Sequence, residues 1–270
     1  MTYFGFLAIF LGIPLVILTS LTWIDYRQGR FLPASIAGWS PLGAVWLHVL
    51  LALIYTTPWD NYLVATGVWY YNPALVTGIR LGWVPVEEYT FFILQTLLAG
   101  LWLLFLARRF PAPKDPIAPG GKVKFWSTSA VSVVWLCALF VLLSGPSSGT
   151  YLGLILVWAL PAIALQLVFG ADILWQHRKL VGFVLASTTL YLGVADSLAI
   201  GSGTWTIDPG QSLNLLVAGV LPVEEFIFFL MTDILVVFGI VLVLAPESRR
   251  RFLSILKSNK PRILHEELEQ

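Results

Sequence analysis

The sequence predicts an all-α integral membrane protein: seven transmembrane helices, arranged as two parallel three-helix repeats joined by a connector helix. Three observations predict it. The 270 residues are 58% hydrophobic and only 11% charged, against roughly 25% charged in soluble domains, so too few charges are present to dress a water-facing surface. Apolar runs of spanning length, roughly 17–25 residues, recur seven times along the chain. One eight-residue pattern also occurs twice, at corresponding places in the two halves.

The runs fall at 3–24, 41–57, 83–107, 126–143, 151–170, 180–197 and 213–245. The first has no basic segment ahead of it and no small-residue cleavage pattern, so it reads as a retained span, not a signal peptide. The second, fourth and sixth are short. The last is long, and its first third reads as a loop or re-entrant piece before Pro222. Basic residues gather after alternate runs: Arg27 and Arg30, then Arg108, Arg109, Lys122 and Lys124, then Arg178 and Lys179, then Arg249, Arg250 and Arg251. The positive-inside rule then predicts a multi-pass protein of the cell membrane with its N-terminus outside and its C-terminus cytoplasmic. The Pro- and Gly-rich stretch 110–124 reads as a flexible cytoplasmic linker. The expected division is a first repeat at 1–110, linker and connector helix at 111–150, a second repeat at 151–246 and a cytoplasmic tail at 247–270. A net charge of +1 gives no pull on nucleic acid, and the single Cys137 allows no internal disulfide.

Residues 85–92 read Pro-Val-Glu-Glu-Tyr-Thr-Phe-Phe, and residues 222–229 read Pro-Val-Glu-Glu-Phe-Ile-Phe-Phe. Upstream, Asp60, Gly67, Trp69 and Asn72-Pro73 match Asp196, Gly203, Trp205 and Asp208-Pro209, with spacings that agree to one residue. Three helices alone would return the second repeat inverted. One connector span restores the direction, so the repeats are parallel and related by an axis along the membrane normal. Both Glu-Glu pairs are then expected on the outer side.

A Pro at the first helical position with acids in the first turn is an ordinary helix start when it occurs once. Occurring twice, with Phe-Phe and Asp-Gly-Trp at the same offsets, it reads as functional, because carboxylates in apolar sequence are expensive. The sequence holds no dinucleotide fingerprint, phosphate loop, Cys/His cluster or serine elbow, and His48, His177 and His265 are scattered. Carboxylic acids among aromatics remain. A buried acid favours its neutral form and can give its proton to an apolar substrate, while aromatic faces stabilise a carbocation. The candidate catalytic residues are Glu87, Glu88, Glu224, Glu225, Asp60 and Asp196. The candidate substrate-binding residues are Trp69, Trp205, Phe91, Phe92, Phe228 and Phe229. No metal or cofactor is expected.

The doubled motif, Pro85-Val86-Glu87-Glu88 with Phe91-Phe92 and Pro222-Val223-Glu224-Glu225 with Phe228-Phe229, resembles the paired Pro-X-Glu-Glu signature of the membrane-embedded lycopene cyclases. These are the two-subunit or fused-subunit type of some bacteria, archaea and fungi. Thr57-Pro58-Trp59-Asp60-Asn61 and Trp69-Tyr70-Tyr71 add to the resemblance, which covers nearly the whole chain. It implies a cofactor-independent isomerase of carotenoid biosynthesis that closes β-ionone rings on lycopene, with the lipid bilayer and a lipophilic polyene as its partners. A C50 carotenoid substrate stays open, as do the oligomeric state and the number of ends cyclised. A retinal-binding protein would need a lysine in the last helix, and 213–245 has none. A transporter or binding protein for a lipophilic ligand is the remaining rival. The halves differ at Arg80, which is expected to pair with a first-half acid, and at Asp233, which faces Thr96 in the alignment. Asp233 reads equally as a functional acid or as a helix–helix hydrogen bond. These differences place most of the protonation on Glu224 and Glu225. His48 reads as a packing residue, and Asp25 and Asp172 as interface acids beside basic residues.

Overall fold

The computed structural model describes residues 1–111, 113, 120–145 and 147–258. Among them, seven helices are long and apolar enough to cross a membrane. In chain order these are α1 (Tyr3–Arg27), α2 (Pro41–Ala65), α3 (Val86–Ala107), α4 (Gly121–Ser144), α5 (Thr150–Gln176), α6 (Arg178–Gly201) and α7 (Val223–Leu244). A shorter helix, α8 (Pro246–Ser258), follows.

α2 and α6 outrun their apolar stretches, to Ala65 and Gly201. Their polar residues remain helical because they are hydrogen-bonded inside the bundle: Asn61 donates to the Thr57 carbonyl and Ser197 to the Gly193 carbonyl. Gly121 to Lys124 open α4 and do not belong to a linker, because the first turn of α4 docks Lys124 on Asp172 (3.6 Å). Within the expected linker, 112 and 114–119 lie outside the described residues, as does the tail from 259.

Between the second and third helices of each half runs the same short β structure. It comprises β1 (Trp69–Tyr71), β2 (Arg80–Leu81) and β3 (Val84–Pro85) in the first half, and β4 (Trp205–Ile207), β5 (Leu216–Val217) and β6 (Leu221–Pro222) in the second. β2–β3 and β5–β6 are hairpins that lead directly into α3 and α7. The first turn has two residues, Gly82 and Trp83; the second has three, Ala218, Gly219 and Val220. That single residue is the spacing mismatch between the halves.

β1 and β4 pair with each other, antiparallel, as Trp69↔Ile207, Tyr70↔Thr206 and Tyr71↔Trp205. Each strand position meets its counterpart reversed, so a pseudo-twofold axis passes through the Tyr70–Thr206 pair. The packing obeys the same axis. α3 and α7 touch at the centre, α2 and α6 each pack against both, and α1 and α5 flank α3 and α7. α4 packs on α5 at the periphery; only 6% of its apolar window is buried, against 61% for α3. At the end remote from the hairpins, two clamps close the halves. Arg109 holds Asp25 with two hydrogen bonds of 2.8 Å, and Arg251 holds Asp172 at 2.9 and 2.6 Å. Such two-pronged guanidinium–carboxylate pairs are strong and directional.

Candidate active site

The β1–β4 ribbon alternates as strands must. Tyr70 and Thr206 face outward, while Trp69, Tyr71, Trp205 and Ile207 face the bundle. Beneath them lies a small chamber. Its walls include Glu88 and Phe91 from α3, Asp196 from α6, Glu225, Phe228 and Phe229 from α7, and Tyr3 and Phe6 from α1. The ribbon is therefore a roof over a site to which both halves contribute.

Consecutive residues of a helix point about 100° apart, and this splits each Glu pair. Glu87 accepts a hydrogen bond of 2.6 Å from the Thr77 backbone N–H. Glu224 accepts one of 2.6 Å from the Leu213 N–H and one of 3.0 Å from the Ser212 hydroxyl. Both tie the loop between ribbon and hairpin to the helix start. Glu88 and Glu225 turn to the chamber. The Tyr3 and Tyr71 hydroxyls donate to Glu88 Oε2 at 2.6 and 3.0 Å, and the Tyr151 hydroxyl donates to Glu225 Oε1 at 2.6 Å. Tyr3 and Tyr151 occupy matching positions at the tops of α1 and α5; each donates its backbone N–H to a matching carbonyl, Leu75 and Gln211.

Two aspartates complete the set. Asp60 and Asp196 are each 1% exposed. The Trp205 indole N–H donates to Asp196 Oδ1 at 3.0 Å, while Asp196 Oδ2 has no partner among the described residues. In the first half, the Trp69 N–H and both oxygens of Asp60 have no partner among the described residues. Glu88 and Glu225 are close enough to act electrostatically on each other and on both Asp60 and Asp196. Tyr71, on the ribbon, has its phenol pushed well above its ordinary range by burial and by the Glu88 carboxyl, so it stays a donor.

The structure thus brings together Glu88, Glu225, Asp196, Trp69, Trp205, Phe91, Phe228 and Phe229, with Asp60 adjoining. Phe92 lines a neighbouring pocket. Arg80 is exposed on β2 and makes no ion pair among the described residues; the hairpin carries it away from the chamber, and phenols take the place expected for it beside Glu88. Asp233 accepts from Thr189 at 2.9 Å, between α6 and α7. His48 bonds the Ala44 carbonyl through Nδ1 (2.8 Å). The residues expected at the site from sequence omit Tyr3 and Tyr151, Tyr71 (which enters only within the Trp69-Tyr70-Tyr71 run) and Trp158, which stacks on Trp59 at 4.5 Å. The matched placement of Tyr3 and Tyr151 was the available signal.

No family model and no solved structure matches the chain. Curated relatives do. The chain is 38% identical over 241 residues to a protein named lycopene beta-cyclase of Halobacterium salinarum, covering 89% of this chain and 95% of that one. The chain belongs to the lycopene beta-cyclase family. The family includes longer fungal proteins named bifunctional lycopene cyclase/phytoene synthase. That of Podospora anserina is 35% identical over 198 residues, and that of Colletotrichum graminicola 36% over 204. Each match takes in 71% of this chain but only about a third of the fungal protein (33% and 34%). Membership of this family makes the chain an enzyme, in a multi-pass membrane setting.

Proposed function

We propose that the chain is a lycopene β-cyclase, an intramolecular lyase or isomerase that closes β-ionone rings on the linear ends of lycopene without net redox change. The observation that carries this reading is the convergence of carboxyls from both halves, Glu88, Asp196 and Glu225, on one aromatic chamber under the ribbon, with Asp60 adjoining it. A carboxylic acid protonates the terminal double bond and leaves a tertiary cation. The π electrons of a nearby double bond attack it and close a six-membered ring. A carboxylate removes a ring proton and restores a double bond, so one proton enters and one leaves.

Donor supply suggests the roles. A buried carboxyl that no donor reaches is costly to ionise, whereas one that accepts phenol hydrogen bonds has its charge met. Asp60, without partners among the described residues, is assigned the proton delivery, and Asp196 is its counterpart, with one oxygen held by Trp205. Glu88, with two phenols, is assigned the proton removal, and Glu225 stands in the matching place. Trp69, Phe91, Phe228 and Phe229 offer ring faces to the cation. In this reading Glu87 and Glu224 position the motif without touching the substrate, and the protonation is no longer placed on the Glu224/Glu225 pair.

The repeats are taken as 1–110 and 151–246, joined by the linker and connector helix over 111–150. The ribbon is taken to face outside and the C-terminus the cytoplasm of the cell membrane. The basic residues Arg27, Arg108, Arg109, Lys124 and Arg178 at the other end of the helices support this. Expression in a lycopene-accumulating host tests the activity. Cyclic carotenes should replace lycopene in extracted pigment, and unchanged lycopene with the protein present in the membrane would overturn the reading.

A further inference from the structure

Beside the chamber, between α2, α3, α5 and α7, lies a second cavity of about 240 Å³. Its lining is mainly apolar and includes Ala52, Phe92, Trp158, Ala162, Phe228 and Val236. Phe228 lines this cavity and the chamber alike. A row of parallel rings joins the two: Tyr55 stacks on Trp158 at 5.5 Å, Trp158 on Trp59 at 4.5 Å, and Trp59 on Phe228 at 5.7 Å. Along α7 the cavity reaches Val236, about 16 Å below Glu225 at 1.5 Å per residue. That is about half of the ~30 Å hydrocarbon core. Its mouth opens to lipid at Leu51 and Tyr55, 48% and 42% exposed.

The pseudo-twofold axis makes a comparison available within the molecule. On the matching flank, around α6, the same position holds larger side chains. Trp102 fills it and donates to the Ser187 hydroxyl at 2.8 Å. The residue matching Trp102 on α7 is Gly239, against which the smaller His48 ring packs in place of an indole. Val184 and Leu192 are also fully buried on that flank, where their counterparts His48 and Thr56 line the open cavity. One flank carries Trp102 and buried Val184 and Leu192 where the other has its cavity, although the tie between neighbouring helices is the same on both: Tyr55 donates to the Trp158 carbonyl at 2.7 Å and Tyr191 to that of Phe10 at 2.8 Å.

We propose that this flank cavity is the seat of the straight part of the polyene: one end enters the acid chamber past Phe228, the conjugated stem lies along the ring row, and the far end projects into lipid. The assignment rests on the cyclase reading and adds the route and the orientation of the substrate. A stiff conjugated rod suits a row of ring faces, and the difference between the two flanks favours one of them for the stem.

Ala162→Trp fills the cavity from α5, and Ala52→Leu is a smaller fill from α2. Both leave the chamber untouched. Purified protein in liposomes is offered lycopene and, separately, an acyclic polyene of about a quarter of its length with the same end group, which ends short of Ala52 and Ala162. The expected result is a loss of about tenfold or more in kcat/KM for lycopene, equivalent to ~1.4 kcal/mol, with the short polyene converted as by wild type. Unchanged lycopene conversion in either variant, or equal loss on both substrates in protein that melts at the wild-type temperature, would overturn the assignment. Ala52→Leu decides if Ala162→Trp fails to accumulate. Wild-type protein inactive on both substrates would instead sink the cyclase reading itself.

Discussion

Two adjacent glutamates do different work because a helix turns about 100° per residue. Glu87 and Glu224 each turn one oxygen to donors of the loop, their second oxygen having no partner among the described residues; Glu88 and Glu225 meet phenols in the chamber. Glu88→Gln and Glu225→Gln should therefore lower the cyclisation rate by about 10²–10⁴-fold, read as product formed per unit of purified protein. Glu87→Gln and Glu224→Gln should instead lower the melting temperature in detergent and leave most of the rate. Equal losses from all four would show that the split by direction is wrong. Tyr71→Phe removes one of two donors to Glu88, and a hydrogen bond to a charged group is worth about 1.5–3 kcal/mol. A rate loss of at least about tenfold is expected, with Tyr70→Phe on the outward face as the silent comparison. At this scale the acids were legible, since charge in apolar sequence is conspicuous. The tyrosines were not. Tyr3 stands 85 residues from Glu88 and Tyr151 74 from Glu225, and an aromatic residue at a span's start is ordinarily an interface anchor.

At the scale of elements, the two hairpins deliver the motif to the helix starts. Gly82 sits at φ 71°, and a Cβ there would collide with Asn61 Oδ1, which accepts the Trp83 N–H at 2.8 Å. Gly82→Ala should cost about 1 kcal/mol or more, visible as a lower melting temperature and loosened protease resistance of the hairpin. A wild-type melt would mean the turn relaxes freely. Apolar length revealed the spans, but not the ends of α2 and α6, because polar residues that bond inside the bundle look like loop residues in sequence. The β ribbon was invisible for a related reason: three-residue strands carry too little periodicity, and their partner lies in the other half. The one-residue mismatch between repeats was legible, but its place in the hairpin turn was not. A second mismatch separates Tyr3 and Asp25 by 22 residues but Tyr151 and Asp172 by 21. The π turn at Leu7–Gly12 accommodates the extra residue.

For the whole molecule, the pseudo-twofold axis produces one chamber from two halves. A single chamber holds one end of a rod roughly as long as the hydrocarbon core. A substrate with two linear ends must then leave and return reversed before its second ring forms. A time course should show the one-ring product, γ-carotene, rising and falling ahead of β-carotene. Direct appearance of the two-ring product, with no one-ring pool at any enzyme concentration, would contradict a single chamber. The repeat was readable from the doubled motif. That the two motifs share a site was not, because spacing along a chain says nothing about which face of a bundle two helix starts present to each other.

The ribbon closes the chamber on the side of the loops, and the flank mouth opens among acyl chains. Supply of substrate is then a problem in two dimensions. The rate should follow the number of polyene molecules per area of bilayer and ignore the volume of buffer around the vesicles. Adding plain lipid to the same vesicles at constant protein and polyene should slow ring formation in proportion. Diluting the whole suspension should leave the turnover of each enzyme unchanged.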